Sequence, residues 1–107
     1  MRFTKVVGAV MGTVLLASGA AMAQEYPTKP VRIIVPFAPG GATDIVTRIV
    51  AQKLTEIWGQ TIVVDNRAGA GGNIGMGIGA LAAHDGHTAL LVSSSIVANP
   101  SLYRKIP

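Results

Sequence analysis

The residues whose types and spacing could do chemistry gather in three places. Pro39-Gly40-Gly41-Ala42-Thr43-Asp44 runs from a proline through a double glycine into a helix start. Gly69-Ala70-Gly71-Gly72-Asn73 repeats that theme, and Ser93-Ser94-Ser95 supplies hydroxyls. A strand that passes through glycines into a helix N-terminus leaves several backbone N–H groups unpaired. The aligned peptide dipoles add partial positive charge at the same point, so such a junction is an anion seat. A single glycine turn is explained by tight turning alone. Two of them converging on one edge, with Thr43 and the serines close by, favour a binding crevice rich in neutral donors.

Other chemistries find less support. Gly75-Met76-Gly77-Ile78-Gly79-Ala80 fits G-x-G-x-x-A, and residues 77–82 fit it again, but neither follows directly on a strand. A dinucleotide fingerprint requires that context. Asp44, Asp65 and Asp85 each stand beside a turn, where capping accounts for them. His84 and His87 flank Asp85-Gly86 and read as solvent-exposed turn residues rather than a metal pair. Ser93 to Ser95 lack the Gly-x-Ser-x-Gly elbow and an evident base. Nothing assembles into nucleophile, base and orienting group, so neither an enzyme nor a cofactor is expected; the alternatives are an exported α/β enzyme fragment acting on an anionic substrate and a ligand-free envelope protein. The absence of cysteine rules out disulfides and thiolate metal sites. No Lys/Arg cluster with interleaved aromatics is present, which argues against nucleic-acid binding.

The elements that must position these turns follow from patterning. Arg2 and Lys5 precede an apolar stretch from Val6 to Ala17 and then Ala21-Met22-Ala23, the pattern of a secretory signal peptide cut after Ala23. Removing 23 of the 107 residues leaves 84 and lowers the net charge from +4 to +2. Val31 to Val35 reads as a strand buried on both faces. A helix is expected over Thr43 to Trp58, with Thr43 as N-cap and Gly59 as its stop. Ile45, Val46, Ile49, Val50, Leu54, Ile57 and Trp58 form its apolar stripe. Thr61 to Val64 reads as a second strand and Ile74 to Ala83 as a glycine-rich helix able to lie close to the sheet. Thr88 to Val92 is expected as a third strand, and Asn99-Pro100 as the start of another turn. The order β-α-β-α-β with right-handed crossovers makes the strands parallel and puts every strand-to-helix turn on one edge. Ligands of open α/β sheets bind beyond that edge.

Tyr26-Pro-x-Lys-Pro-Val-Arg-Ile-Ile-Val-Pro-Phe-Ala-Pro-Gly-Gly-x-Thr-Asp44 resembles the opening of mature substrate-binding proteins of the tripartite tricarboxylate transporters, the TctC or Bug family. The resemblance continues through Gly59-Gln60 and Val64-x-Asn66-Arg67-x-Gly69-Ala-Gly71-Gly72-Asn-Ile-Gly75. Asp85-Gly86-x-Thr88 and Asn99-Pro-x-Leu-Tyr-x-Lys-x-Pro107 complete it, so it covers essentially the whole mature chain. Ala42 and His87 stand where the family more often has Gly and Tyr.

This resemblance implies an α/β fold, the βαβαβ portion of a type II periplasmic-binding-protein-like architecture whose two domains close on small organic anions. It implies a monomer in the periplasm that hands a small organic carboxylate to integral-membrane permease subunits. The turn matching Pro39, Gly40, Gly41, Thr43 and Asp44 and the one matching Gly71, Gly72 and Asn73 would hold a ligand carboxylate, with Ser93 and Ser94 at the same cleft. Family members continue well past the position of Pro107, so the chain is expected to be the first part of such a protein, its second domain absent. A carboxylate at one helix N-terminus gains about 0.3–1 kcal/mol, and each hydrogen bond to its charge roughly 1.5–3 kcal/mol. Immobilising a free ligand costs roughly 4 kcal/mol or more, so half a cleft is expected to bind in the millimolar range or weaker.

Overall fold

The computed structural model describes Ala23 and residues 25–107; the expected export signal, residues 1–23, lies outside the described residues except for Ala23. Three parallel strands, β1 (Val31–Val35), β2 (Ile62–Asn66) and β3 (Thr88–Leu90), form one sheet in the order β2-β1-β3. Helix α1 (Ala42–Trp58) links β1 to β2. A 3-10 turn at Ala70–Gly72 and helix α2 (Asn73–Ala80) link β2 to β3, and α3 (Ser95–Leu102) follows. The expected β-α-β-α-β order is therefore present, with a third helix beyond it. In register, Val31 stands opposite Ile62 and Val35 opposite Asn66, while Arg32 to Ile34 face Thr88 to Leu90 on the other side.

The central position of β1 explains its near-continuous apolar run. Hydrogen-bonded along both edges, its Ile34 and Val35 are 0% exposed. The two crossovers run in opposite directions across the sheet, so right-handedness puts α1 and α2 on opposite faces. On the α1 face, Val31, Ile33, Ala51 and Ile62 form a core with Leu54, Trp58, Val64 and Leu91 packed around it. By strand alternation Ile34 belongs to the other face, which α2 covers. Burying each such aliphatic side chain is worth roughly 1.5–3 kcal/mol. The glycine-rich helix does lie close to the sheet: Gly75 meets Pro36 and Gly79 meets Leu90.

Several boundaries differ from expectation, each for a physical reason. The N-cap of α1 is Gly41, with extended backbone, and Thr43 sits inside the first turn. No side chain caps the helix; the Asp44 carboxylate instead reaches back past the N-cap to the Gly40 N–H at 2.9 Å. Strand β2 runs on through Asp65 and Asn66 because the side chains of both find partners there. Strand β3 ends at Leu90, although the Leu91 N–H still bonds the Ile34 carbonyl at 3.0 Å. Helix α2 starts one residue earlier and ends three earlier than expected, at Asn73 and Ala80. Asn99 and Pro100 lie inside α3 rather than opening a turn.

The largest correction concerns α1. Its sheet-facing side is Asp44, Thr47 and Ala51, extended by the half-buried Leu54 and Trp58. Ile45, Val46, Ile49 and Val50 are 47–60% exposed and Ile57 is 74% exposed, so most of the expected core stripe faces away from the sheet. Small Ala51 permits close approach, and Thr47 satisfies its hydroxyl on the Thr43 carbonyl at 2.6 Å. Periodicity detected an apolar face correctly but could not say which face the sheet would take.

Candidate functional site

The β1–α1 turn is anchored at both ends. Pro36 is fully buried, Phe37 half-buried, and Ala38 to Gly41 come to the surface with Gly40 at φ +90°. The first bond of α1 joins the Ile45 N–H to the Gly41 carbonyl at 3.0 Å. The N–H groups of Ala42, Thr43 and Asp44 therefore precede the helical ladder and carry the positive end of its dipole.

Asp44, 3% exposed, organises this turn from beneath. Its Oδ2 accepts from Gly40 N–H and from Arg48 Nε at 3.0 Å. Its Oδ1 accepts from Asn66 Nδ2 at 2.9 Å. The same Asn66 nitrogen donates to the Phe37 carbonyl at 3.2 Å, and Arg48 Nη2 donates to Asn66 Oδ1 at 3.2 Å. Hydrogen bonds from Arg48, Gly40 and Asn66 hold the Asp44 carboxyl down at about 2, so it is ionised.

The second turn has four successive residues at positive φ: Gly69, Ala70, Gly71 and Gly72. The Gly72 N–H closes it onto the Gly69 carbonyl at 3.0 Å. Gly72 is buried, and a Cβ there would stand 3.5 Å from Phe37 and 3.6 Å from Pro36. The second glycine turn is thus packed against Pro36-Phe37, the buried start of the first turn, at the C-terminal end of β1. Asn73, 8% exposed, opens α2 and is gripped from α3. Asn99 Nδ2 donates to Asn73 Oδ1 at 2.7 Å and to the Gly71 carbonyl at 3.0 Å. The Tyr103 hydroxyl overhangs Gly71, where a Cβ would come within 2.8 Å of it. A cavity of about 310 Å³, lined by Met76, Leu90, Ile96 and Ile106 among others, lies beside Asn73 and Asn99.

The residues expected at the site divide into groups. Pro39, Gly40 and Gly41 are exposed at the first turn, Thr43 is half-buried, and Asp44 faces inward with both oxygens engaged. The Gly40 N–H is already occupied by Asp44. Gly71 is exposed, whereas Gly72 and Asn73 are buried. Ser93 is half-buried and bonds Ser95 Oγ at 2.9 Å within its own turn, while Ser94 is exposed as the N-cap residue of α3. Strands β1 and β3 are parallel, which puts the serine turn on the same edge as the first glycine turn, and the sheet order reverses between them. Reasoning from chemistry alone missed Arg48, Asn66, Asn99 and Tyr103. Asn66, Asn99 and Tyr103 stood within the motifs quoted above; Arg48 had no signal beyond its place one turn after Asp44.

The remaining aspartates are structural in their surroundings. Burial pushes the Asp65 carboxyl up, but Arg32 and Arg67 outweigh it and leave it lowered. The Lys29 ammonium, then the His87 N–H, hold Asp85 at about 2. His84 is exposed as expected, but His87 is not: its side chain is 12% exposed and packs on the Tyr26 ring at 5.1 Å. Among the described residues no group of three or more His, Cys, Asp or Glu could hold a metal. No helix among them is long and apolar enough to cross a membrane.

Comparison with known proteins follows the same lines. The model described as tripartite tricarboxylate transporter family receptor, TctC, matches residues 46–107. Protein BugT of Bordetella pertussis is 45% identical over 112 residues, covering 100% of this chain and 34% of its own length. The periplasmic binding protein BugD superposes with a TM-score of 0.70 at 46% identity, over 74% of this chain and 26% of that one. Rpa4515 of R. palustris, solved with adipate, gives 0.65 at 41% identity over 66% and 24%. MatC of Rhodopseudomonas palustris, solved with malate, gives 0.58 at 42% over 61% and 22%. The chain spans about a third of the length of the curated relatives it matches. The fold is that part of a periplasmic binding protein. By its family match and its fold, the chain belongs to the TctC receptors of the tripartite tricarboxylate transporters, a family of substrate-binding receptors and not of enzymes.

Proposed function

We propose that the chain forms the first half of a carboxylate seat in an exported receptor, which captures a small organic acid in the periplasm and presents it to membrane permease subunits. The observation that carries this reading is the packing of the second glycine turn against the buried start of the first, through Gly72 and Pro36-Phe37. It brings the open N–H groups at the start of α1 and the Gly71-Gly72-Asn73 turn to one edge. Gly41 and Thr43 would donate to one carboxylate, with Pro39 and Gly40 shaping the turn and Asp44 supporting it from below. Gly71, Gly72 and Asn73 would form the opposite lip, and Ser93 and Ser94 the third side. The relatives solved with adipate and malate hold acids of the same class. Residues 1–23 serve as the export signal in this reading, and a second domain would close over the seat and exclude water.

A thermal-shift panel of mono- and dicarboxylic acids, each paired with its neutral amide, tests the reading. Stabilisation by acids and not by amides is expected. Equal behaviour of both sets, or no response to any acid, would count against it.

A further inference from the structure

A carboxylate already occupies the neighbourhood of the seat, and that poses an electrostatic problem. Asp44 is the third residue of α1, where its charge would itself complement the helix dipole and repel an incoming anion. The surrounding hydrogen bonds answer that problem. Arg48 Nε and Gly40 N–H both bond Oδ2, and Asn66 Nδ2 bonds Oδ1, so both oxygens are held by the chain's own donors. The Arg48 Nη2 bond to Asn66 Oδ1 closes the ring and fixes the Asn66 amide. Turned over, that amide would set its oxygen against the Phe37 carbonyl and Asp44, acceptor facing acceptor. Because Asn66 ends β2 and stands opposite Val35, the ring also ties the turn to the sheet. The arrangement is a closed clamp around one buried charge.

We propose that Arg48 and Asn66 are positioning residues for the seat: they hold the Asp44 carboxylate inward on Gly40, cancel its charge, and leave the α1 N-terminus open to an anionic solute. This rests on the carboxylate-binding reading above. Arg48 acts through Asp44 and need not touch the solute.

The test is a double-mutant cycle on the labelled chain, titrated with succinate and followed at the backbone amides of residues 41–44 by NMR. Arg48→Met is expected to weaken succinate binding about tenfold, the loss expected for one charge-assisted hydrogen bond. Adding Asp44→Asn to it removes the freed charge and should restore binding to within about threefold of the wild type. Additive losses, or an Arg48→Met protein that binds like the wild type, would overturn the proposal. A second arm needs no ligand. Hydrogen exchange of the Gly40 amide should be at least about tenfold faster in Asn66→Leu than in the wild type, and an unchanged rate would also overturn it. If the wild type shows no succinate response, the carboxylate reading fails on its own, and the exchange arm alone decides the clamp.

Discussion

Gly75 lies so close to Pro36 that a Cβ on it would stand 2.6 Å from the proline Cβ, 2.7 Å from its Cα and 2.8 Å from the Arg67 carbonyl oxygen. Helix α2 can reach the end of β1 only because this position carries no side chain. The contact holds the second glycine turn against the first, so stability and site geometry share one atom-scale requirement.

Gly75→Ala is therefore expected to destabilise the fold by about 2 kcal/mol, overpacking outweighing the roughly 1 kcal/mol that alanine gains in a helix. Gly41→Ala, where the nearest atom to a Cβ is 3.8 Å away, should be close to neutral. Urea midpoints measure both, and the reverse order would contradict the packing described.

Acid should weaken the fold through its three lowered carboxylates, Asp44, Asp65 and Asp85. Asp44 and Asp85 are each held at about 2 in the folded chain. An unfolded aspartate titrates near ~3.9, so the stability these groups contribute is present above that pH and is lost as pH falls towards 2. Unfolding midpoints should be flat from pH 7 to about 5 and then drop. Asp85→Asn should flatten part of that drop; an unchanged acid limb would contradict the Lys29–Asp85 pair.

Asn99 satisfies the Gly71 carbonyl and Asn73 Oδ1 with one nitrogen. Asn99→Leu strands both acceptors in a partly buried place, at a cost of about 1–3 kcal/mol. The loss should appear as a lower melting temperature together with changed amide shifts at residues 70–73. A variant as stable as the wild type would mean that α3 does not support the turn.

The outward stripe of α1 predicts stickiness. Ile45, Val46, Ile49 and Val50 present apolar surface on the side away from the sheet. The chain should bind a hydrophobic dye and self-associate as concentration rises. Ile45→Lys with Ile49→Lys should reduce both severalfold while leaving helix content unchanged. A collapse of the fold in that double variant would show the stripe to be core after all.

Much of this structure was legible beforehand, where local physics decides it. Val31 to Val35 is apolar enough to be a central strand, and Gly59 stops α1 in the left-handed conformation that glycine favours. The two strand-to-helix turns were legible from glycines before helix starts. What stayed hidden depended on distant partners. The burial of Asp44 in place of Ile45 draws on Asn66, 22 positions away, whose amide also donates to the Phe37 carbonyl. Pro100 suggested a turn, yet the grip of Asn99 on Gly71 and Asn73 keeps that residue in a helix. Within the site, the glycines were legible and the side chains that hold them were not, because Arg48 and Asn99 act through contacts rather than through spacing.

The central claim is that two glycine turns grip one carboxylate, and an NMR titration of the labelled chain with adipate tests it most directly. The amides of Ala42 and Thr43 at the first turn and of Gly72 and Asn73 at the second should move along one saturation curve. Its midpoint should lie on the order of 1 mM or weaker, since the contacts that these two turns offer barely exceed the cost of immobilisation. Shifts confined to one turn, or saturating separately at the two, would contradict a shared seat.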